Sequence, residues 1–403
     1  MDPIDEGRAH RLPRLQQSMT QRGLDALVCT RNLNLLLVGG WCPVAGIAVA
    51  LVTPEPRVVL VVPEEAAAMA ACGWADEVRT FASGSLERIE PVPRELTLVL
   101  ESVLRPVLRP GARVGVETGP GHMPATYASL RLYGEALSLF LRAAFPDAGL
   151  VSADGLLRAL RACPTPYERA RIRAACLLAA RAYEHGVPAM AAGDTEQQVA
   201  ASLRHAYGLQ AGSAPGVAMA DAFFYCMSGP NAARAWGAFQ ASGRRRLERG
   251  EPVVLHCNAH ADGYWTDLTR TYAFGEPDQR LATLWRLLAE ARAAALDLVR
   301  PGVPASEVDR AVRSVLARAG YGEAFRHPAG HGVGFTAIDH AEPPCIHPAN
   351  DAPLEEGMVF NIEPGAYLDA WGGARDCNLV AVTGTGCELL SPFHLEPADW
   401  RLA

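Results

Sequence analysis

The sequence lacks the signatures of several common protein classes. No GxGxxG or GxxxxGK[ST] stretch follows a predicted strand in its first half, so nothing there predicts a nucleotide site. The 403 residues carry a formal net charge of -7, whereas a non-specific nucleic-acid binder needs a net basic face. We therefore expect no nucleic-acid partner.

The cysteines form no recognisable framework. There are ten of them, without a CxxC pair, and most stand in apolar surroundings typical of buried free thiols. The N-terminus, with Asp2, Asp5 and Glu6 but no apolar core, resembles neither a signal peptide nor a transit peptide. A reducing cytoplasmic location is the expectation.

One long run, residues 35–52, is free of charge. Gly39, Gly40, Pro43 and Gly46 interrupt it, and no basic cluster anchors its far end. We predict two buried strands joined by a turn, and no membrane span.

The length favours two domains, because single hydrophobic cores stop growing below this size. In the first part, residues 8–22 predict an amphipathic helix, residues 24–29 a short strand, and residues 47–62 a hairpin turning at 54–56. Alternating helices and strands predict an α/β domain over residues 1–160. Residues 161–403 form the second predicted domain.

The second domain begins with a long predicted helix that starts at Tyr167. A further helix follows an Asp194-Thr195 cap, and Ser306 is the predicted N-cap of another. Strands are predicted at about 214–220 and 252–257. The remaining helices are predicted at about 279–299 and 306–317.

A hairpin over residues 256–272, HCNAHADGYWTDLTRTY, holds a carboxylate that sheet formation does not require. Asp262-Gly263 is a good tight turn, and Asp267 then lies inside the second strand. Two other stretches have similarly misplaced polar chemistry: HPAGHGVGF, with His327 and His331, and MVFNIEPGAY, with Glu363. We expect the three stretches to meet at one site.

The order of GYWTDLTRT, HPAGHGVG, NIEPG and ARDCNLVAVTGTGCELL resembles the pita-bread family of methionine aminopeptidase, prolidase, aminopeptidase P and creatinase. The resemblance implies an N-terminal creatinase-like α/β domain followed by a pita-bread catalytic domain, so the fold class is α/β (α+β). It also implies a homodimer.

In the metal-dependent members, two aspartates, one histidine and two glutamates hold two divalent ions. The resemblance places Asp267, His331 and Glu363 at three of these positions. His256, eleven residues before Asp267, stands where the first aspartate is expected, and Cys377, two after Arg375, stands where the last glutamate is expected. Both changes remove a carboxylate.

Charge then limits the metal content. Asp267 and Glu363 supply -2, or -3 with a Cys377 thiolate, which matches one divalent cation but not two. We predict at most one transition metal, Mn, Fe, Zn or Co, on Asp267, His331 and Glu363, with His256 and Cys377 as additional soft ligands. A metal-free site also stays open.

Proton transfer must differ as well. The family histidine that binds substrate, or serves as acid and base in creatinase, is replaced by Trp236 in SGPNAARAW, and an indole transfers no protons near neutral pH. His340 and Glu342 in DHAEPP are the nearest match to the second catalytic histidine and its motif, and they are the predicted acid and base. Trp236, His327 and Arg375 are the predicted substrate-binding residues, with Arg375 alternatively bracing a ligand.

Each residue also has a simpler interpretation. Asp267 could pair with Arg270, His331 could be a loop histidine, and Glu363 a residue at the end of a strand. His256 and Cys377 could be ordinary core side chains.

The predicted function is cleavage of a C–N bond in a small amino-acid-like or Xaa-Pro-like substrate. A repurposed biosynthetic reaction in the same pocket is a variant. The alternatives are a catalytically inactive module that binds a peptide or protein, and a genuine two-metal Xaa-Pro peptidase.

Overall fold

The computed structural model describes residues 3–43, 47–53, 57–82, 94–118, 134–236 and 242–403. The chain divides into two compact units. The first comprises Met1–Arg161 with Thr165–Tyr167, and the second Ala162–Pro164 with Glu168–Ala403.

The described part of the first unit has one mixed sheet and helices packed on it. Its helices are α1 (Pro3–Gln21), α2 (Asn32–Gly39), α3 (Ala67–Ala70), α4 (Arg94–Leu104), α5 (Gly134–Ala144) and α6 (Asp154–Ala162). Its strands are β1 (Ala26–Cys29), β2 (Val49–Val52), β3 (Val58–Pro63), β4 (Glu77–Phe81), β5 (Arg113–Val116) and β6 (Gly149–Ser152). The sheet order is β4-β3-β2-β1-β5-β6, with antiparallel pairing only at β1–β2 and β2–β3.

Branched apolar side chains hold this sheet to its helices. Val28, Leu51 and Val61 on the strands pack with Leu100 of α4 and Leu141 of α5, all nearly inaccessible to solvent. Burial of such side chains is the main favourable term in folding. The predicted helix at 8–22, the strand at 24–29 and the hairpin at 47–62 are confirmed, although its turn at 54–56 lies outside the described residues.

The prediction of two strands over residues 35–52 is wrong in its first half, which is helix α2. A short apolar run suits a buried helix as well as a buried strand, so periodicity could not distinguish them. Gly40 ends the helix in the left-handed region at φ 73°, and its N–H donates to the carbonyl of Leu36 at 2.9 Å. Among the described residues, no helix is long and apolar enough to cross a membrane.

In its described residues, the second unit combines four α-helices with three small sheets. The helices are α7 (Pro166–Gly186), α8 (Glu196–Gly212), α9 (Gln279–Leu296) and α10 (Ala305–Arg318). The strands are β7 (Ala220–Ser228), β8 (Val253–Ala261), β9 (Tyr264–Phe274), β10 (Val359–Ile362), β11 (Gly365–Leu368), β12 (Gly372–Arg375), β13 (Asn378–Val382), β14 (Cys387–Leu389) and β15 (Arg401–Leu402). One sheet has the order β15-β9-β8-β7, another β10-β13-β14, and the third is β11-β12.

Two local predictions in this unit are wrong. The strand predicted at about 214–220 begins only at Ala220, after Gly216 in the left-handed region at φ 70°. The N-cap of α10 is Pro304, and Ser306 instead donates to Asp351 at 2.6 Å. The cap at Thr195 is confirmed as a complete capping box.

The hairpin of β8 and β9 is confirmed and fixes the face on which the polar residues stand. Asp262 and Gly263 adopt φ values of 51° and 83°, as a two-residue turn of this kind requires. The resulting register sets Asn258 opposite Asp267 and His256 opposite Thr269. Since side chains alternate along a strand, these four residues share one face of the sheet.

Candidate active site

His331 enters the site from a loop whose backbone is tightly packed. Its N–H donates to Oδ1 of Asn361 at 2.7 Å. A Cβ added at Gly330 would lie 1.9 Å from the carbonyl oxygen of Asn361. A Cβ added at Gly332 would lie 2.2 Å from the carbonyl oxygen of Pro343. The two glycines therefore permit the close approach that carries the imidazole inward.

The structure brings His331, Asp267 and Glu363 together. Nε2 of His331 lies 3.7 Å from Oδ2 of Asp267 and 3.8 Å from Oε1 of Glu363. All three residues are buried, with 1–2% of their surface exposed. Ligands about 2.0–2.2 Å from one ion would be separated by roughly these distances.

The donor atoms of this group are suited to a cation. Nδ1 of His331 donates to the carbonyl of Gly332 at 3.1 Å, so Nε2 carries the lone pair and accepts from Nδ2 of Asn361 at 3.2 Å. A cation on Nε2 would take the place of that amide donor. Among the described residues, Oε1 of Glu363 is a buried oxygen with no hydrogen-bond donor. A buried carboxylate oxygen without a donor is costly, and a divalent ion would satisfy it.

The pKa shifts of the two carboxyl groups, Asp267 and Glu363, also favour a bound cation. Burial, and then the charge of Glu363, holds the pKa of Asp267 well above its ordinary range. Burial also acts to raise the pKa of Glu363, but His327, His331 and Arg375 outweigh it and the pKa is lowered. Two buried carboxylates this close repel each other when both are ionised, and a bound cation would remove that penalty.

Both ring nitrogens of His256 are engaged by the protein. A guanidinium only donates, so Nδ1 of His256 accepts from Nη2 of Arg375 at 2.9 Å. Nε2 then donates to Oδ1 of Asn258, also at 2.9 Å. Burial and the charge of Arg375 lower the pKa of His256 well below its ordinary value, so the imidazole is neutral and has no lone pair directed at a metal.

Cys377 is a buried thiol beside Asp267. Its Sγ donates to the carbonyl of Asp267 at 3.3 Å and lies 3.5 Å from Nδ2 of Asn361. Burial, followed by the charge of Asp267, raises the pKa of Cys377 well above its ordinary value. A neutral thiol at this position adds no negative charge to the site.

The two predicted proton-transfer residues are placed differently. His340 is exposed, its ring centroid is 4.8 Å from that of His331, and one of its ring nitrogens lies within 4.8 Å of the ligand atoms of His331 and Glu363. Glu342 is buried, and its backbone carbonyl accepts from the N–H of Gly332 at 2.9 Å. His340 is therefore close enough to act as a ligand as well as an acid or base.

His327 contacts Tyr367 rather than the carboxylates. Its Nδ1 donates to the carbonyl of Pro328 at 2.8 Å, so Nε2 accepts from the hydroxyl of Tyr367 at 2.9 Å. Burial lowers the pKa of His327 to about 4. Trp236 differs from these buried groups in its exposure, with 40% of its surface accessible to solvent.

The simpler interpretation of Asp267 as a partner of Arg270 is wrong. Nη1 of Arg270 lies 3.0 Å from Oδ1 of Asp376, and Nη2 donates to Oδ1 of Asn378 at 2.7 Å. Asp267 instead faces His331, Cys377 and His256.

Sequence reasoning missed Asn361 and Tyr367. Asn361 holds both the backbone and the ring of His331, with Nδ2 at 3.2 Å from Nε2. It stands two residues before Glu363, and Tyr367 stands four after it. The two-residue spacing is a usable signal, because in extended chain it directs the side chains of Asn361 on β10 and of Glu363, directly after β10, to the same side.

Two family models match the chain. The model of metallopeptidase family M24 matches residues 170–384, and that of the creatinase/prolidase N-terminal domain matches residues 11–163. These matches, with the structural likenesses below, confirm the predicted family and fold class.

The chain is similar to curated Xaa-Pro dipeptidases. It is 32% identical over 249 residues to the Xaa-Pro dipeptidase of Lactobacillus helveticus, which covers 61% of this chain and 65% of that protein. It is 37% identical over 237 residues to the probable dipeptidase PepE of Mycobacterium tuberculosis (strain ATCC 25618 / H37Rv), which covers 59% and 60%. The matches thus span less than two thirds of these relatives.

Solved structures match over almost the whole chain. The prolidase from Pyrococcus horikoshii OT3 has a TM-score of 0.76 and 25% identity, covering 96% of this chain and 99% of that one. The dipeptidase PepE from Mycobacterium ulcerans has a TM-score of 0.75 and 30% identity, covering 98% of each.

Proposed function

Since the chain belongs to metallopeptidase family M24, we propose that it hydrolyses small Xaa-Pro-like dipeptides with the help of one divalent transition-metal ion. The observation that carries the proposal is the convergence of Asp267, His331 and Glu363, with both carboxylates within 3.8 Å of Nε2 of the imidazole. The family and the names of the similar proteins support the substrate class.

Asp267, His331 and Glu363 would hold the ion, because Nε2 of His331 lies 3.7 Å from Asp267 and 3.8 Å from Glu363. A nitrogen of His340 also lies within 4.8 Å of the ligand atoms of His331 and Glu363, but His340 stays outside the proposed ligand set as the proton carrier. A mixed nitrogen and oxygen donor set suits Mn, Fe, Zn or Co. The ion would supply Lewis acidity for attack on the scissile amide. Asn361 keeps the backbone of His331 in place, because its Oδ1 accepts from the N–H of His331, and the carbonyl of Gly332 orients the ring by accepting from Nδ1, as partners of ligands commonly do.

One ion fits these residues better than two. The ionisable carboxylates are Asp267 and Glu363, whereas Cys377 is a neutral thiol and His256 is engaged on both nitrogens. Nη1 of Arg375 lies 3.7 Å from Oε2 of Glu363, so a permanent positive charge already stands on that side. We therefore leave His256 and Cys377 out of the proposed ligand set.

His340 is the proposed proton carrier. It is exposed beside His331, so its imidazole can exchange protons with solvent and deliver one to a leaving amine. The role of Glu342 would be to support this segment, where its backbone holds Gly332. Trp236 would exclude water and contact the substrate, since an indole carries no proton at neutral pH.

Metal analysis of protein purified without chelator, together with turnover of Gly-Pro and Ala-Pro, tests the proposal. We expect one equivalent of metal and measurable hydrolysis. Asp267→Ala and His331→Ala should weaken metal affinity by at least about tenfold and abolish turnover. Asp221→Ala is the matched control, because Asp221 is a half-exposed aspartate on β7 paired with Arg204. Unchanged metal content and activity in both site variants would refute the metal version.

A homodimer is part of the same proposal, since it rests on the family resemblance. The charge-free run at 35–52 offers no further support, because its described apolar residues from Leu35 to Val38 and from Val49 to Val52 are buried within the first unit. Light scattering on the purified chain measures the assembly directly.

A further inference from the structure

Trp236 and Arg326 form an exposed pair in the second unit. Trp236 follows the short helical segment after β7 and has 40% of its surface exposed. Cζ of Arg326 lies 6.0 Å from the centroid of the indole, at the outer range of a cation–π contact. The indole and the guanidinium thus present an apolar face and a positive charge side by side.

The residue before Trp236 and the residue after Arg326 both form hydrogen bonds with side chains of the candidate active site. Ala235, which precedes Trp236, accepts from Nη1 of Arg375 at 3.2 Å, and the same nitrogen is 3.7 Å from Glu363. His327, which follows Arg326, accepts from the hydroxyl of Tyr367. The pair therefore stands one residue outside the buried contacts of the site.

Replacing the ion-pair partner of Arg326 costs little free energy. It donates from Nη1 to Oδ1 of Asp369 at 3.0 Å, and the side chain of Asp369 is 81% exposed. Exposed ion pairs contribute little stability, so a carboxylate of a ligand can replace Asp369 at small cost. Retaining the contact with Trp236 would keep the guanidinium plane oriented during that exchange.

Arg375 is poorly suited to the same task. Its donors contact His256 at 2.9 Å, Thr269 at 3.1 Å and the carbonyl of Ala235 at 3.2 Å, all in buried surroundings. Moving the guanidinium towards a ligand would leave buried acceptors without donors, which is expensive. Arg326 is therefore better suited than Arg375 to bind a substrate carboxylate.

We propose that Trp236 and Arg326 form the subsite for the C-terminal residue of the substrate. The guanidinium pairs with the free α-carboxylate, and the indole packs against the proline ring. The subsite selects free dipeptides over peptide amides and longer peptides, whose C-terminal side carries no charge at this position. This inference rests on the proposed function and adds a specificity determinant to it.

The test compares kcat/KM for Ala-Pro and Ala-Pro-amide in the wild type and variants. We expect the wild type to prefer the acid. Arg326→Gln should lower kcat/KM for the acid about tenfold, through KM, and lower that for the amide far less. Arg326→Lys should retain part of the preference, and Trp236→Ala should weaken both substrates. Equal losses for acid and amide in Arg326→Gln, or no loss, would overturn the inference.

Arg280→Gln is the matched control, because Cζ of Arg280 lies 5.3 Å from the ring of Trp371 in a similar arrangement on α9. Its kinetics should equal those of the wild type. If the wild type hydrolyses neither substrate, the proposed hydrolase function fails, and calorimetric binding of Ala-Pro and Ala-Pro-amide decides the subsite separately. A preference for the acid that disappears in Arg326→Gln supports the subsite; equal binding, or none, refutes it.

Discussion

The guanidinium of Arg375 donates from Nη2 to Nδ1 of His256 at 2.9 Å, inside a site that also contains two carboxylates. The imidazole is neutral because burial and the charge of Arg375 lower its pKa. A neutral ring, bound by a fixed organic cation, thus stands where the family resemblance leads one to expect an aspartate. Histidine at position 256 thus removes a negative charge from this side of the site, while its side chain still occupies the position.

A variant with carboxylates at positions 256 and 377 should bind a second metal ion. We expect the double variant His256→Asp/Cys377→Glu to bind about two metal equivalents, against about one for the wild type, because the added negative charge offsets the second cation. Elemental analysis after dialysis measures this. His256→Asn/Cys377→Gln is the uncharged control and should stay at one. If the acidic double variant folds and still binds one ion, the charge of Arg375 limits the metal content instead.

His327 should make stability depend on pH. Its pKa is lowered by burial from 6.5 to about 4 in the folded chain, so below pH 6.5 the unfolded chain binds a proton that the folded chain does not. The free energy of unfolding should fall as pH falls from 6.5 to 4, by about 3 kcal/mol in total. Above pH 6.5 this contribution is complete.

The measurement is the urea midpoint from pH 7.5 to 4 in the wild type and in His327→Gln. The variant should lose this part of the pH dependence. His185→Gln is the control, because His185 is exposed on α7. Parallel stability curves for the wild type and His327→Gln would contradict the assignment.

Motif spacing was sufficient to find the residues that the structure brings together. Asp267, His331 and Glu363 come from a hairpin, a loop and the end of a strand, and their order along the chain carries no distance information by itself. The family pattern supplied that information. Gly330 and Gly332 then have a physical meaning, since a Cβ at either would overlap a backbone carbonyl.

What the sequence could not supply was the direction of the hydrogen bonds. The sequence leaves Arg375 open to a substrate role or a bracing role, and the fold directs its donors to His256, Thr269 and Ala235. Helix α2 was missed for a related reason. A short apolar run such as residues 35–39 is compatible with a helix and with a strand, and the choice between them depends on what packs against it.

Asp376, between Arg375 and Cys377, should be important for stability. It is buried, contacts Arg292, and lies 3.0 Å from Arg270. Asp376→Asn would leave two buried guanidinium groups without their counter-charge, and we expect a loss of about 3–5 kcal/mol. Urea unfolding followed by circular dichroism measures it.

The matched control for Asp376 is Glu290→Gln. Glu290 pairs with Arg286 at 3.4 Å on the exposed side of α9, and removing that pair should cost less than about 1 kcal/mol. A similar loss in both variants would mean that the buried cluster contributes no more than a surface pair.

The turn of the β8–β9 hairpin should also be sensitive to substitution, because it sets the register that places Asp267 opposite Asn258. Gly263 has φ 83°, a conformation that costs a side-chain-bearing residue roughly 1–2 kcal/mol. Gly263→Ala should therefore lower the free energy of unfolding by about that amount and weaken metal binding if the register loosens.

Gly208→Ala is the control: Gly208 lies within α8 with no atom near its hypothetical Cβ, so alanine there should stabilise the chain by about 0.5–1 kcal/mol. A Gly263→Ala protein as stable as the wild type would show that the strands, and not the turn, determine the position of Asp267.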